Sequence, residues 1–218
     1  MKKLFLLLSA STLLWASCQN APEADKAATA DTQAAATAAG DPYGVDVAAS
    51  ELSFIGTKPI GQHTGVFSLT EGTLYVKDGN ITGGNFVINI NSLKITDQDT
   101  SGVSKLTAHL LSPDFFDAAK FGTARFEITG VEAYDAAKMQ SLLPNATHLI
   151  SGNLTLKDST KNVTFPAAVT LGEGTINAVA DFNIDRTQWG MHYGNDQSLG
   201  DKFIRPEVNI KLNINAKK

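Results

Sequence analysis

From Tyr43 to the last residues, the chain repeatedly alternates apolar and polar side chains with a period of two. That period belongs to strands with one buried and one wet face, because successive strand side chains point to opposite sides. Phe86, Ile88 and Ile90 share a face against Asn89 and Asn91. Ile150, Gly152, Leu154 and Leu156 oppose Ser151, Asn153 and Thr155. Val163, Phe165, Ala167, Val169 and Leu171 form another stripe, and Ile176, Ala178, Ala180, Phe182 and Ile184 a further one. Val208, Ile210, Leu212 and Ile214 form the last, set against Asn209, Lys211, Asn213 and Asn215. Half-buried strands of this kind are antiparallel rather than parallel.

Weaker strand signals cover Ser50 to Lys58, Gly65 to Thr70, Thr73 to Val76 and Thr123 to Val131. Turn chemistry separates the strands at Glu71-Gly72, Asp78-Gly79-Asn80, Gly83-Gly84, Lys157-Asp158-Ser159 and Gly172-Glu173-Gly174. Asp78-Gly79 and Gly172 to Gly174 predict hairpins. Only Ser101 to Leu111 departs clearly, with Val103, Leu106, Leu110 and Leu111 at helical spacing and Pro113 to stop it. A second helical turn is expected over Asp135 to Leu142. Long alternating strands leave exposed edges unless the sheet closes. The expectation is therefore an all-β antiparallel barrel of about eight strands, with one or two short helices.

A barrel of that size is either filled by side chains or holds one small ligand. Gly152, Ala167, Ala178 and Ala180 are small residues on the apolar stripes. If they face the interior they leave room for an elongated apolar guest; alternatively, larger neighbours fill that space.

The N-terminus reads as an address. Lys2 and Lys3 precede an apolar run from Leu4 to Leu14, then Trp15-Ala16-Ser17-Cys18. This is too short for a membrane span and predicts a signal peptide over 1–17. Cys18 follows the small pair Ala16-Ser17 and resembles the acceptor of a bacterial lipobox, with Trp15 where leucine is usual. The alternative is a plain signal peptide with an incidental cysteine. Residues 18–41 lack aromatic, Leu, Ile and Val side chains, and so predict a flexible tether. The barrel domain is then 42–218.

The formal charge of −4 argues against a nucleic-acid partner, which demands a basic face. A single cysteine excludes an internal disulfide and a CxxC pair. No HExxH pair or GxSxG elbow is present. Asp97 to Gly102 begins like a calcium loop, but the twelfth position is Ala108. Gly83-Gly84 lacks the lysine and following helix of a phosphate cradle. The chain reads as a binder rather than an enzyme, with no catalytic residue, cofactor or metal assigned.

A set of separated motifs is more specific. His109-Leu110-x-Ser112-x-Asp114-Phe115-Phe116-Asp117 is followed by Phe121 and Ala124-Arg125-Phe126. Gly152 to Lys157, Thr160-Lys161-x-Val163, Phe182-x-Ile184-Asp185-Arg186-x-x-Trp189-Gly190 and Gly200-Asp201 come in order after it. Tyr43-x-Val45-Asp46 and Gly65-Val66-Phe67 open the series. Over residues 43–216 this resembles the YceI family of bacterial envelope proteins. The neighbours Lys105, Thr107 and Ala108 depart from the acidic helix usual there, as do Gly122 for proline, Trp189 for phenylalanine, and the run Phe203 to Pro206.

The resemblance implies a lipocalin-like barrel with an apolar lumen that takes a polyisoprenoid, isoprenoid quinone or similar amphiphile. It also admits a homodimer. Phe86, Ile88, Phe115, Phe116, Phe126, Leu154, Phe165, Ala178, Ala180, Phe182, Arg186 and Trp189 are the expected ligand-binding residues, and Cys18 the lipid anchor to the envelope membrane. Arg186 either meets a ligand head group or clamps a loop or a carboxylate such as Asp117 or Asp201. One of Phe115 and Phe116 is expected to face the ligand and the other to pack on the helix. Trp189 and Tyr193 either border the entrance or pack in a loop. His109 is expected to tie the helix to the barrel, and Asp185 to brace the turn before Gly190.

Overall fold

The computed structural model describes residues 20–218. The predicted leader at 1–17 and the predicted lipidation site at Cys18 lie outside the described residues. In chain order the elements are β1 (Asp25–Lys26), β2 (Ala28–Ala30), β3 (Asp41–Val45), β4 (Glu51–Lys58), β5 (Gly61–Lys77) and β6 (Asn80–Ile95). They continue with α1 (Val103–Leu111), β7 (Thr123–Ala133), β8 (His148–Leu156), β9 (Ser159–Gly172), β10 (Thr175–Asp185) and β11 (Glu207–Lys217). Neighbours from β4 to β11 pair antiparallel, and β11 returns to β4 through Val208↔Gly56 to Asn213↔Glu51. The expected closed eight-stranded barrel is what forms.

The alternation explains the burial. Ile88, Ile90, Val163, Phe165, Ile176, Phe182, Ile184 and Ile214 are all buried in one internal core. The β5–β6 hairpin turns at Asp78 and Gly79, both with positive φ (51° and 73°), the backbone of a type I′ turn. Two glycine signals, however, do not mark turns. β5 runs through Glu71-Gly72 with a bulge beside it, and a Cβ on Gly72 would lie 2.8 Å from Val45 Cγ2. β6 runs through Gly83-Gly84, where a Cβ on Gly84 would lie 2.5 Å from the Thr73 carbonyl oxygen. Both glycines allow close approach of neighbours inside a strand. The helix expected over Asp135 to Leu142 is also corrected. Its amides at Lys138 and Met139 return to the Asp135 carbonyl for a single turn, and no helix follows.

The largest correction concerns the tether. Residues 20–41, expected to be free, form a strap on the barrel wall. β9 and β10 pair only from Thr175↔Gly172 to Val179↔Ala168 and then diverge. Into that gap β1 adds parallel to β10 at Phe182 and Asn183, and β2 adds antiparallel to β9 at Asn162 to Thr164. Ala27, between them, is only 4% exposed. The strap continues past Asn153, which bonds the Gln33 backbone at N and O, to Ile128 and then Thr82. Asp25 also holds the far loop, accepting from Ser141 Oγ and the amides of Leu142 and Leu143. Strand addition satisfies backbone groups whatever the side chains are. Small residues fit the seam, so a composition poor in large apolar residues did not prevent ordering.

Candidate ligand-binding site

The barrel encloses a cavity of about 450 Å³. That lies within the range of small-molecule sites. One end of the barrel carries the β4–β5 turn, α1, the β8–β9 turn and the β10–β11 connection, and this end forms the mouth. Two runs of aromatic rings shape the wall. Phe86, Phe126, Phe165 and Phe182 follow one another, ending in a stacked pair with centroids 4.0 Å apart and planes 9° from parallel. Phe54, Phe67 and Phe116 form the second run, the last contact edge-on at 5.3 Å. Glycines seat two of these rings. A Cβ on Gly152 would fall 2.2 Å from Phe126 Cζ, and one on Gly65 2.5 Å from Phe54 Cε1. Gly152 thus seats a ring on the strand instead of leaving room for a guest.

Most of the expected ligand-binding residues do meet here. Phe86, Ile88, Phe115, Phe116, Phe126, Leu154, Phe165, Phe182 and Arg186 all line the cavity. Phe115 and Phe116 both line it, and Phe115 also packs on the helix, edge-on to His109 at 5.1 Å. Ala178, Ala180 and Trp189 do not line it. Ala178 and Ala180 lie toward the far end of β10, opposite Ile214 and Leu212, whose longer side chains form the wall instead. Trp189 is 0% exposed, and its Nε1 donates to the Leu154 carbonyl at 2.9 Å. It packs in the core and does not face the cavity. The small residues that do reach the cavity are Gly56 and Ala124.

Arg186 resolves between its two readings. Its guanidinium donates to the carbonyls of Arg205 (3.2 Å), Tyr193 (2.9 Å), Ile204 (2.9 Å) and Met191. Among the described residues no carboxylate bonds it, so Asp117 and Asp201 are not its partners. Burial lowers its pKa and the nearby Asp185 charge opposes that shift. The planar fork gathers the loop at 191–205 around one cation. Asp185 behaves as expected, accepting from Thr187 N at 2.9 Å and Thr187 Oγ1 at 2.6 Å to cap the short 3-10 turn Arg186–Trp189.

The α1 helix lies at the mouth and contributes Leu106, His109 and Leu110 to the cavity. His109 Nε2 meets Asp114 at 3.0 Å, and its ring stands edge-on to Phe115 and Tyr193. Its polar partner lies on the loop after the helix, not on the barrel. Tyr193 borders the cavity, as one of its readings held. No sequence motif marks His63. It also lines the cavity, and its Nδ1 lies 2.6 Å from Asp97 Oδ2. Partial burial raises the Asp97 pKa, but the Thr64 amide, the His63 ring and the Thr64 hydroxyl together outweigh it and hold the carboxyl below the usual range. The sequence signal was the inward parity of His63 with Phe67 and Leu69 on β5.

A closed antiparallel barrel with one apolar internal cavity and a polar mouth defines a lipocalin-like binding architecture. The chain belongs to the YceI-like family, whose model matches residues 43–216. Burkholderia cenocepacia BcnA superposes with a TM-score of 0.61 at 20% identity, covering 79% of this chain and 99% of that one. A polyisoprenoid binding domain from Saccharophagus degradans, implicated in plant cell wall breakdown, gives 0.59 at 18% identity, covering 80% and 97%. The Campylobacter jejuni YceI protein gives 0.50 at 17%, covering 69% and 82%. A comparison with curated proteins finds no significant relative.

Proposed function

We propose that this chain binds an elongated amphiphile, polyisoprenoid or isoprenoid-quinone-like, in its barrel cavity and sequesters or transports it at the bacterial cell envelope. The observation that carries the reading is the cavity itself, walled by aromatic and aliphatic side chains with its polar groups gathered at the mouth. Apolar burial at about 25 cal/mol per Å² supplies the affinity for a chain, and the mouth orients its head. The polyisoprenoid-binding neighbour supports the same ligand class. The open volume disfavours a filled barrel acting only through its outer surface.

Lipidation of Cys18 would anchor the protein. Because β1 already begins at Asp25, the free span from Cys18 would be at most about 25 Å. The barrel would then sit close to its membrane instead of at the end of a long spacer.

A titration tests the cavity. Ala124 lies on the wall and is 1% exposed. Ala124→Phe should cut binding of a fluorescent polyene lipid by tenfold or more, on the order of the loss of a well-packed apolar contact. Unchanged binding by the folded variant would place the ligand elsewhere.

A further inference from the structure

We infer that His63, oriented by Asp97, reads the head of the cavity's guest, and that this guest presents a hydroxyl. The inference rests on the carrier reading above and adds the head-group class.

His63 lies near the start of β5 on the same inward parity as Phe67 and Leu69. It also borders a polar groove lined by Thr64, Asp97, Gln98 and Ser101, so it stands where the apolar wall meets polar surface. Directly across the β4–β5 ladder is Gly56, and a Cβ placed there would have nothing within 4 Å. A niche therefore opens beside the imidazole.

Asp97 is itself fixed. Its Oδ1 accepts from the Thr64 amide at 2.6 Å and the Thr64 hydroxyl at 3.2 Å, while Oδ2 faces His63 Nδ1. An ionised carboxylate only accepts, so the hydrogen between them belongs to Nδ1. In the neutral ring that leaves Nε2 as an acceptor. Nε2 makes no hydrogen bond within the described residues. An acceptor at the top of an apolar cavity selects a donor, and the simplest donor on an amphiphile is an alcohol or phenol.

Two other polar groups on the wall, Arg186 and His109, are less suited. Arg186 already serves carbonyl oxygens. His109 is edged by two aromatic rings, and its partner Asp114 is 52% exposed where Asp97 is 15%. Thr57, beside Gly56, has a buried hydroxyl with no partner among the described residues and also borders the cavity.

The test is calorimetric titration of the full chain with geranylgeraniol and with its methyl ether, which share one chain and differ in the donor hydrogen. The titration is run at about pH 9, above the ordinary range of imidazole titration. The alcohol should bind about fivefold tighter, the usual worth of one neutral hydrogen bond. His63→Phe should bring the alcohol down to the ether's affinity while the ether still binds, which also shows the barrel intact. Asp97→Asn lets the carboxamide donate to Nδ1 and puts the hydrogen on Nε2, so the preference should collapse although both residues stay polar. Equal binding of both probes to the parent chain, or a preference that survives His63→Phe, overturns the inference alone. Failure of both probes to bind the parent overturns the carrier reading with it.

Discussion

Arg186 and His63 both touch the cavity mouth, both carry nitrogen donors, and they do opposite things. Arg186 was the prominent residue in the sequence, set in a distinctive motif with Asp185. Its hydrogen bonds all run to backbone carbonyls of the loop it gathers. His63 had no motif around it. Yet one of its nitrogens is held by a fixed carboxylate, and the other has no partner among the described residues. A polar side chain recognises a ligand only with the capacity its own fold leaves unsatisfied. Residue type shows what a group can do, and the partner census shows what it still has free.

Arg186→Ala should remove the charge-assisted bonds to four carbonyls and leave them poorly paired beneath the loop. The expected cost is about 3–5 kcal/mol. For a domain of this size that is a fall of about 10 °C in melting temperature, read by circular dichroism. Arg186→Lys should not restore it, because a single ammonium lacks the planar fork. A variant as stable as the parent, with binding reduced, would return Arg186 to the head-group role.

Next comes the seam. Ala27→Asp places a carboxylate at a buried position between β9 and β10. The cost should be about 2–4 kcal/mol, with faster amide exchange in β1, β2 and the adjoining stretch of β9. Unchanged exchange would mean that the strap does not close the wall in solution.

The smallest effect concerns Asp97. Its folded carboxyl titrates below the unfolded value, so its stabilisation is complete above about pH 4 and fades as pH falls through the folded value. Asp97→Asn should therefore lower the melting temperature at neutral pH, and the gap to the parent should narrow below about pH 4. A gap that is constant across that range would show that the carboxylate is not held by Thr64 and His63 as described.

The barrel was legible because alternation is dense: five stripes place their apolar members inward with few exceptions, and Leu171 escapes only at its strand end. The aromatic wall was legible for the same reason. The alanines misled because inward parity does not say how far a side chain reaches. Ala178 and Ala180 point inward but stand opposite Ile214 and Leu212, which reach further. The strap was illegible because its pairing uses backbone groups, on which composition is silent, and because the gap it fills exists only after β9 and β10 diverge. The His63–Asp97 pair joins residues 34 positions apart, and no local spacing marks it.

The central claim is that the cavity holds a long apolar guest. Native mass spectrometry with solvent extraction, on the Cys18→Ala chain purified gently from a bacterial envelope, tests it most directly. That substitution removes any covalent lipid, so whatever travels with the chain is bound by the fold. One long apolar species per chain is expected, and it should be lost in Ala124→Phe. A clean ligand-free mass for the parent chain, with no lipid in the extract, would contradict it.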